Sequence, residues 1–142
     1  LEDEIVNRRL SREEAVKLIY QISINKYASQ EAIENYFDQY EGDLEEVDME
    51  YVKSIVEGVS NNINRIDEII EKHLINWKVN RISKINLALL RCSVYEILKD
   101  KETSAAVFIN EAIEIAKKYS EDKSVAFING VLDRIAKSQV DF

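Results

Sequence analysis

The sequence predicts an all-α protein, a single-domain bundle of about seven helices. Three observations carry that expectation. Proline is absent, glycine occurs only at 42, 58 and 130, and apolar residues recur three and four positions apart along most of the chain. Proline and glycine break helices and shape hairpins, so their scarcity leaves few places where a helix must stop. With 142 residues, the chain is long enough to bury a core without disulfides or a metal.

Each helix is justified by its own pattern. Ser11 followed by Glu14 reads as a capping box, and Ala15, Leu18, Ile19 and Ile22 place a first helix at about 12 to 25. Ala32, Ile33, Tyr36, Phe37 and Tyr40 give a second, stopped by Glu41-Gly42-Asp43. Asp48 can cap a third, with one apolar stripe of Tyr51, Val52, Ile55, Val56, Val59 and Ile63 and an end near Asn61 or Asn62. Ile66, Ile69, Ile70 and Leu74 mark a short fourth, with Trp77 closing the loop behind it. From Ile82 to Leu98 the apolar residues, Leu90 among them, cover too much circumference for a surface helix, so this fifth helix is expected at the centre. Thr103 or Ser104 can cap a sixth, through Val107, Ile109, Ala112, Ile113, Ala116 and Tyr119. Ser124 can cap a seventh, through Phe127, Ile128, Val131, Leu132 and Ile135.

The formal charge is −8, with an uneven distribution. Between Lys26 and Lys53 lie nine of the 27 acids and none of the 19 bases, which leaves 18 acids against 19 bases elsewhere. The acidic stretch reads as a solvated face. The balance argues against sequence-blind binding to duplexes, yet permits a local basic site felt within about 8 to 10 Å.

Catalytic constellations are not found. His73 is the only histidine and has no partner at metal-ligand spacing, so no metal site is expected. Cys92 sits in the most apolar helix with no histidine nearby in sequence, and reads as a buried small hydrophobe. The three glycines are too far apart for a phosphate loop, so no cofactor is expected and the chain reads as a non-enzyme. A single cysteine, no signal-peptide pattern and no apolar run near the roughly 20 residues of a membrane span point to a cytoplasmic protein without a membrane partner.

The segment Asn7-Arg8-Arg9-Leu10-Ser11-Arg12 gathers three arginines. Guanidinium bonds phosphate with two donors and can stack on an unpaired base, although three exposed charges alone are a weak signal. At a helix N-terminus they cost about a few tenths of a kcal/mol until an anion arrives.

In order along the chain, several words resemble the NusB transcription antitermination family. Arg8-Arg9-x-x-Arg12-Glu13-x-Ala15-x-x-x-x-Tyr20 resembles its arginine-rich start. Asp67-x-x-Ile70 and Trp77-x-x-x-Arg81 resemble its middle, and Leu90-Arg91-x-x-x-Tyr95-Glu96 its central helix. Ile109-Asn110-Glu111-Ala112-x-x-Ile115-Ala116-Lys117 and Phe127-Ile128-Asn129-Gly130-Val131-Leu132-Asp133 resemble its C-terminal motifs. The likeness runs from residue 8 to about 137. It implies a factor that binds boxA-type single-stranded RNA together with the ribosomal protein NusE, within the RNA polymerase antitermination complex that transcribes ribosomal RNA operons; a homodimer is compatible with it.

Position by position, the resemblance implies RNA contacts at Arg8, Arg9, Arg12, Tyr20 and Lys123. Tyr20 could equally pack into the core. Asn86 and Leu87 stand where the family resembles an acid followed by a base on the helix implied to face NusE, and Ala105 stands where a proline often opens the sixth helix. Asn110, Glu111, Asn129 and Asp133 read as structural residues among core positions, with Arg91 a partner for Glu111. Leu1 to Ile5 match nothing in the family, and Val6 stands where an initiator would fit. Residues 1–7 are therefore expected as a disordered extension, residues 8–138 as one RNA-binding domain and residues 139–142 as a tail. The competing reading is a helical protein-interaction or dimerisation module without nucleic acid. A NusB-like domain of an RNA methyltransferase does not fit, since no residues remain for a cofactor domain.

Overall fold

The computed structural model describes residues 2–26, 28–76 and 78–142, and of residues 2–7 the backbone only. Within these, seven α-helices and two short 3-10 turns follow in order, with no strand. The α-helices are α1 (Glu2–Asn25), α2 (Ser29–Asp38), α3 (Met49–Asn61), α4 (Ile63–Lys72), α5 (Lys84–Lys99), α6 (Ala105–Tyr119) and α7 (Asp122–Ser138). The 3-10 turns span Leu44–Glu46 and Val79–Arg81. Trp77, expected to close a loop, lies outside the described residues.

As expected, α5 is the axle of the bundle and packs against α1, α3, α4, α6 and α7. Most of its inward face is apolar or small, with Ala88, Leu89, Leu90, Cys92, Val94 and Leu98 all buried, and the polar exceptions Asn86, Ser93 and Glu96 are buried with them. Burial pushes the Cys92 thiol far up, so it behaves as an uncharged filler rather than a nucleophile. Gly58 of α3 is required by a close approach. A Cβ there would come within 2.1 Å of the Tyr95 ring of α5.

Asp48 and Ser104 cap their helices as expected, and Ser124 does not. Asp48 caps α3 by accepting from the Tyr51 N–H at 3.1 Å, and Ser104 caps α6 by accepting from Ala106 at 3.3 Å. Ser83 caps α5, with the helix two residues later than expected. Ser124, by contrast, is inside α7, which begins at Asp122 behind Glu121.

The largest departure is at the start. Helix α1 begins at Glu2, about ten residues ahead of the expected start, so residues 2–7 of the segment expected to be disordered have helical backbone. Ser11 and Glu14 form no capping box because both are buried in the middle of that helix. The Ser11 hydroxyl accepts from the Asp48 N–H at 2.8 Å, and Glu14 accepts from the Tyr36 hydroxyl. A serine and a glutamate three apart are the same word in a cap and in a helix-helix contact; only the partner helix distinguishes them.

At the other end, Gln139 takes a left-handed φ of 58° and stops α7. The tail then folds back. Val140 packs on the core, the Phe142 ring lies 5.7 Å from that of Tyr95, and Arg65 donates to the Asp141 carbonyl at 2.8 Å.

Candidate nucleic-acid interface

The three arginines of α1 lie within one and a half turns of each other, yet meet different surroundings. Arg8 is half-exposed. Its guanidinium carbon sits 4.0 Å from the centre of the Tyr51 ring, and one nitrogen is 3.6 Å from Asp48. Arg9, also exposed, forks onto Glu111 of α6 with bonds of 2.8 and 3.2 Å. That carboxylate raises the guanidinium's hold on its proton further. Both arginines keep nitrogen edges toward solvent, and their carboxylate partners orient them.

Arg12 differs. It is 8% exposed and forks onto Glu96 of α5 at 2.7 and 3.0 Å, between the rings of Tyr51 and Phe108 at 5.6 and 5.8 Å. Burial alone would favour the neutral guanidine, but the forked bond and the charge of Glu96 more than offset it, so the guanidinium holds its proton. A guanidinium with its fork engaged on an interior carboxylate holds α1 to α5 and has little left for a phosphate. The expected cost of arginines at a helix start also disappears, because α1 begins ahead of them.

Lower on the same helix, Glu13 and Glu14 accept from two tyrosines and two lysines. Glu13 takes the Lys118 ammonium at 2.7 Å and the Tyr119 hydroxyl; Glu14 takes Lys17 at 3.2 Å and the Tyr36 hydroxyl. Burial works against the charge of Glu13, but the hydrogen bonds from Lys118 and Tyr119 overcome it and hold the carboxyl below the usual range. Burial and the same carboxylate push the Tyr119 hydroxyl up to about 12, so it remains a donor.

The other expected residues fall into two places. Tyr20, eleven residues beyond Arg9, is on nearly the same face of α1 about 16 Å further along, half-buried against the core. Lys123 is exposed in the first turn of α7 and shares a groove of about 370 Å³ with Arg81, Ile82, Ser83, Asn86 and Phe127. Asn86 is buried and its side-chain oxygen accepts from Ser120 at 2.6 Å, while Leu87 is buried in the core. Neither residue expected to meet a protein partner therefore offers a fully exposed side chain. Each contributes to a groove floor instead, Leu87 in a second groove of about 530 Å³ beside Lys78, Asp67 and Arg91.

One expected internal pairing and the expected placement of three polar residues also differ. Arg91 forks onto Asp67 of α4 at 2.8 and 2.7 Å rather than reaching Glu111, which Arg9 holds. Asn110 and Asn129 are exposed and Asp133 is half-exposed beside Lys137 at 3.0 Å, because Ile109, Ala112, Ile128 and Val131 take the inward phase of their helices. Among the described residues no His, Cys, Asp and Glu side chains group as a metal-ligand set. His73 caps α4, its ring nitrogen 2.7 Å from the Ile69 carbonyl.

A seven-helix bundle with a basic, aromatic-backed edge on its first helix matches known proteins over nearly its whole length. A sequence model of the NusB family matches residues 9–137. The chain belongs to the NusB family. A transcription antitermination protein NusB from Clostridium botulinum is 53% identical over 132 residues, covering 93% of this chain and 99% of that protein. One from Clostridium novyi is 47% identical, covering 94% and 100%. Among solved structures, the NusB of T. maritima superposes with a TM-score of 0.78 at 35% identity over 92% of this chain and 90% of that one. A structure of the antitermination factors NusB and NusE in complex with double-stranded RNA superposes with a TM-score of 0.81 at 26% identity, over 93% and 97%.

Sequence reading missed Glu13, Lys17, Lys118 and Tyr119 as a group. The signal available was a Lys-Lys-Tyr run in the last turn of the sixth helix. Glu13, the acid that Lys118 and Tyr119 share, lies about a hundred residues earlier, and spacing along one chain cannot join them.

Proposed function

We propose that this NusB-family chain is a transcription antitermination factor that binds boxA-type single-stranded RNA jointly with NusE, supporting processive transcription of ribosomal RNA operons. The observation that carries the reading is the pair Arg8 and Arg9. Both are solvent-facing and oriented by carboxylates, at one edge of a chain whose relatives are named antitermination proteins and whose fold is found bound to NusE and RNA. Lys123, in its groove with Arg81, supplies a second cationic point and Tyr20 an aromatic one on the helix between. Arg12 serves that surface from beneath by fixing α1 on α5.

The factor acts by binding and not by catalysis, in the cytoplasm, as a component of the RNA polymerase antitermination complex. The buried thiol and the helix-capping histidine support that reading. NusE is proposed to dock across the grooves floored by Asn86 and Leu87.

Electrophoretic mobility shifts with a boxA-type RNA, with a scrambled RNA and with a duplex of the same sequence, each with and without NusE, test the proposal. A shift that favours the single-stranded boxA form and tightens with NusE is expected. Binding to NusE with no RNA preference would leave a protein-interaction module, and a single homodimer with neither would leave a dimerisation module.

A further inference from the structure

We propose that Tyr119, flanked by Lys17 and Lys118, is a stacking platform for one unpaired nucleotide of the RNA, with the two ammonium groups receiving its phosphates. The inference rests on the RNA-binding reading and adds a subsite to it. Tyr119 is a large aromatic residue left 38% exposed at the end of α6, in a chain that buries most of its apolar residues. Its ring is not loose, because its hydroxyl is tied to Glu13 of α1. The Lys17 and Lys118 ammonium nitrogens lie 5.9 and 5.6 Å from the ring centre, within range of its face.

The charges are layered in a way that suits a polyanion. The carboxylates lie beneath, with the side chains of Glu13 and Glu14 only 11% and 3% exposed, while those of Lys118 and Lys17 above them are 63% and 39% exposed. An ammonium has three donors and each carboxylate occupies one, so each lysine retains donors for a phosphate oxygen. The acids therefore fix the lysines and the tyrosine while solvent meets the positive side. Aromatic rings beside cations are how single strands are held, since every base has a face to stack and every linkage a charge. The position fits as well. Glu13 is one turn beyond Arg9, about 6 Å along α1, so a strand leaving the arginines toward Lys123 would pass the ring.

The probe is a boxA-type RNA carrying 2-aminopurine at one position at a time, bound to the chain with NusE present. Stacking on an aromatic ring quenches its fluorescence. One position should be quenched by the parent and by Tyr119→Phe, which retains the ring without its hydroxyl, and released by Tyr119→Leu. Affinity should fall about ten-fold in Tyr119→Leu. Lys118→Gln should lower the slope of log affinity against log salt by about 0.7. Circular dichroism melts identify any variant that fails to fold, and Tyr119→Phe together with Lys118→Gln then decides the matter. If quenching and affinity are unchanged in Tyr119→Leu while an Arg8→Ala, Arg9→Ala variant loses binding, the platform is wrong and the RNA reading stands. If the parent binds no RNA, both fall.

Discussion

Arg12 and Glu96, 84 residues apart in sequence, close a two-bonded fork in the interior at 2.7 and 3.0 Å. Removing one member strands the other. Arg12→Ala should destabilise the chain by about 3 to 5 kcal/mol, because Glu96 would remain a buried charge without its partner. Arg12→Met combined with Glu96→Leu should recover most of that loss, since two apolar side chains of similar size need no pairing. Urea denaturation midpoints of Arg12→Met, Glu96→Leu and the double variant read the cycle. Equal losses that simply add would show that the fork carries no coupling.

Arg8 and Arg9 should separate cleanly from Arg12. Their carboxylate pairs are exposed, and exposed pairs contribute about 1 kcal/mol or less. The Arg8→Ala, Arg9→Ala variant should therefore melt close to the parent. Its affinity for boxA-type RNA should fall, and the salt slope should lessen by about 1.4, which is about 0.7 for each phosphate that an arginine no longer neutralises. Fluorescence anisotropy across a salt series measures both. An unchanged slope would place the RNA elsewhere.

Leu90→Ala should destabilise by about 2 to 5 kcal/mol, because Leu90 is fully buried at the centre of α5, where five helices converge and little can collapse into the gap. A denaturation midpoint equal to the parent's would contradict that packing.

Glu13 gives the chain an acid-sensitive joint between α1 and α6. Its folded pKa lies below the ordinary unfolded value of about 4.3. The stability it contributes is thus fully present above that value and is lost as pH falls through the lower, folded one. Glu13→Gln should be less stable than the parent at pH 7, and the gap should narrow as the solution is acidified below about pH 4. Thermal melts at several pH values read it; a gap independent of pH would mean that the ion pair is not the cause.

Much of this fold is legible in the sequence because it is local. The stripes of α3 and α5, the Asp48 and Ser104 caps and the burial of Leu90 and Cys92 depend on residues within a turn or two of one another. The errors share a physical source in tertiary partners. Ser11 and Glu14 look like a cap until Asp48 and Tyr36 are brought against them. Arg12 looks like Arg8 and Arg9 until α5 offers Glu96. Arg91 and Glu111 look like a pair until Asp67 and Arg9 claim them separately. Charge in a sequence does not disclose its depth, and depth decides whether an arginine anchors a helix or meets a phosphate.

The pairings of α1 also set an order of events. Arg12 waits for Glu96, Arg9 for Glu111, and Glu13 for Lys118 and Tyr119. A ribosome releases the N-terminus first, so Arg9, Arg12 and Glu13 emerge without these partners and stay in water until α5 and α6 follow. Contacts this distant slow folding by the loop closure they require. The edge that carries Arg8 and Arg9 is thus among the last parts of the molecule to become rigid. A nascent chain cannot present it in finished form until most of the protein has been made.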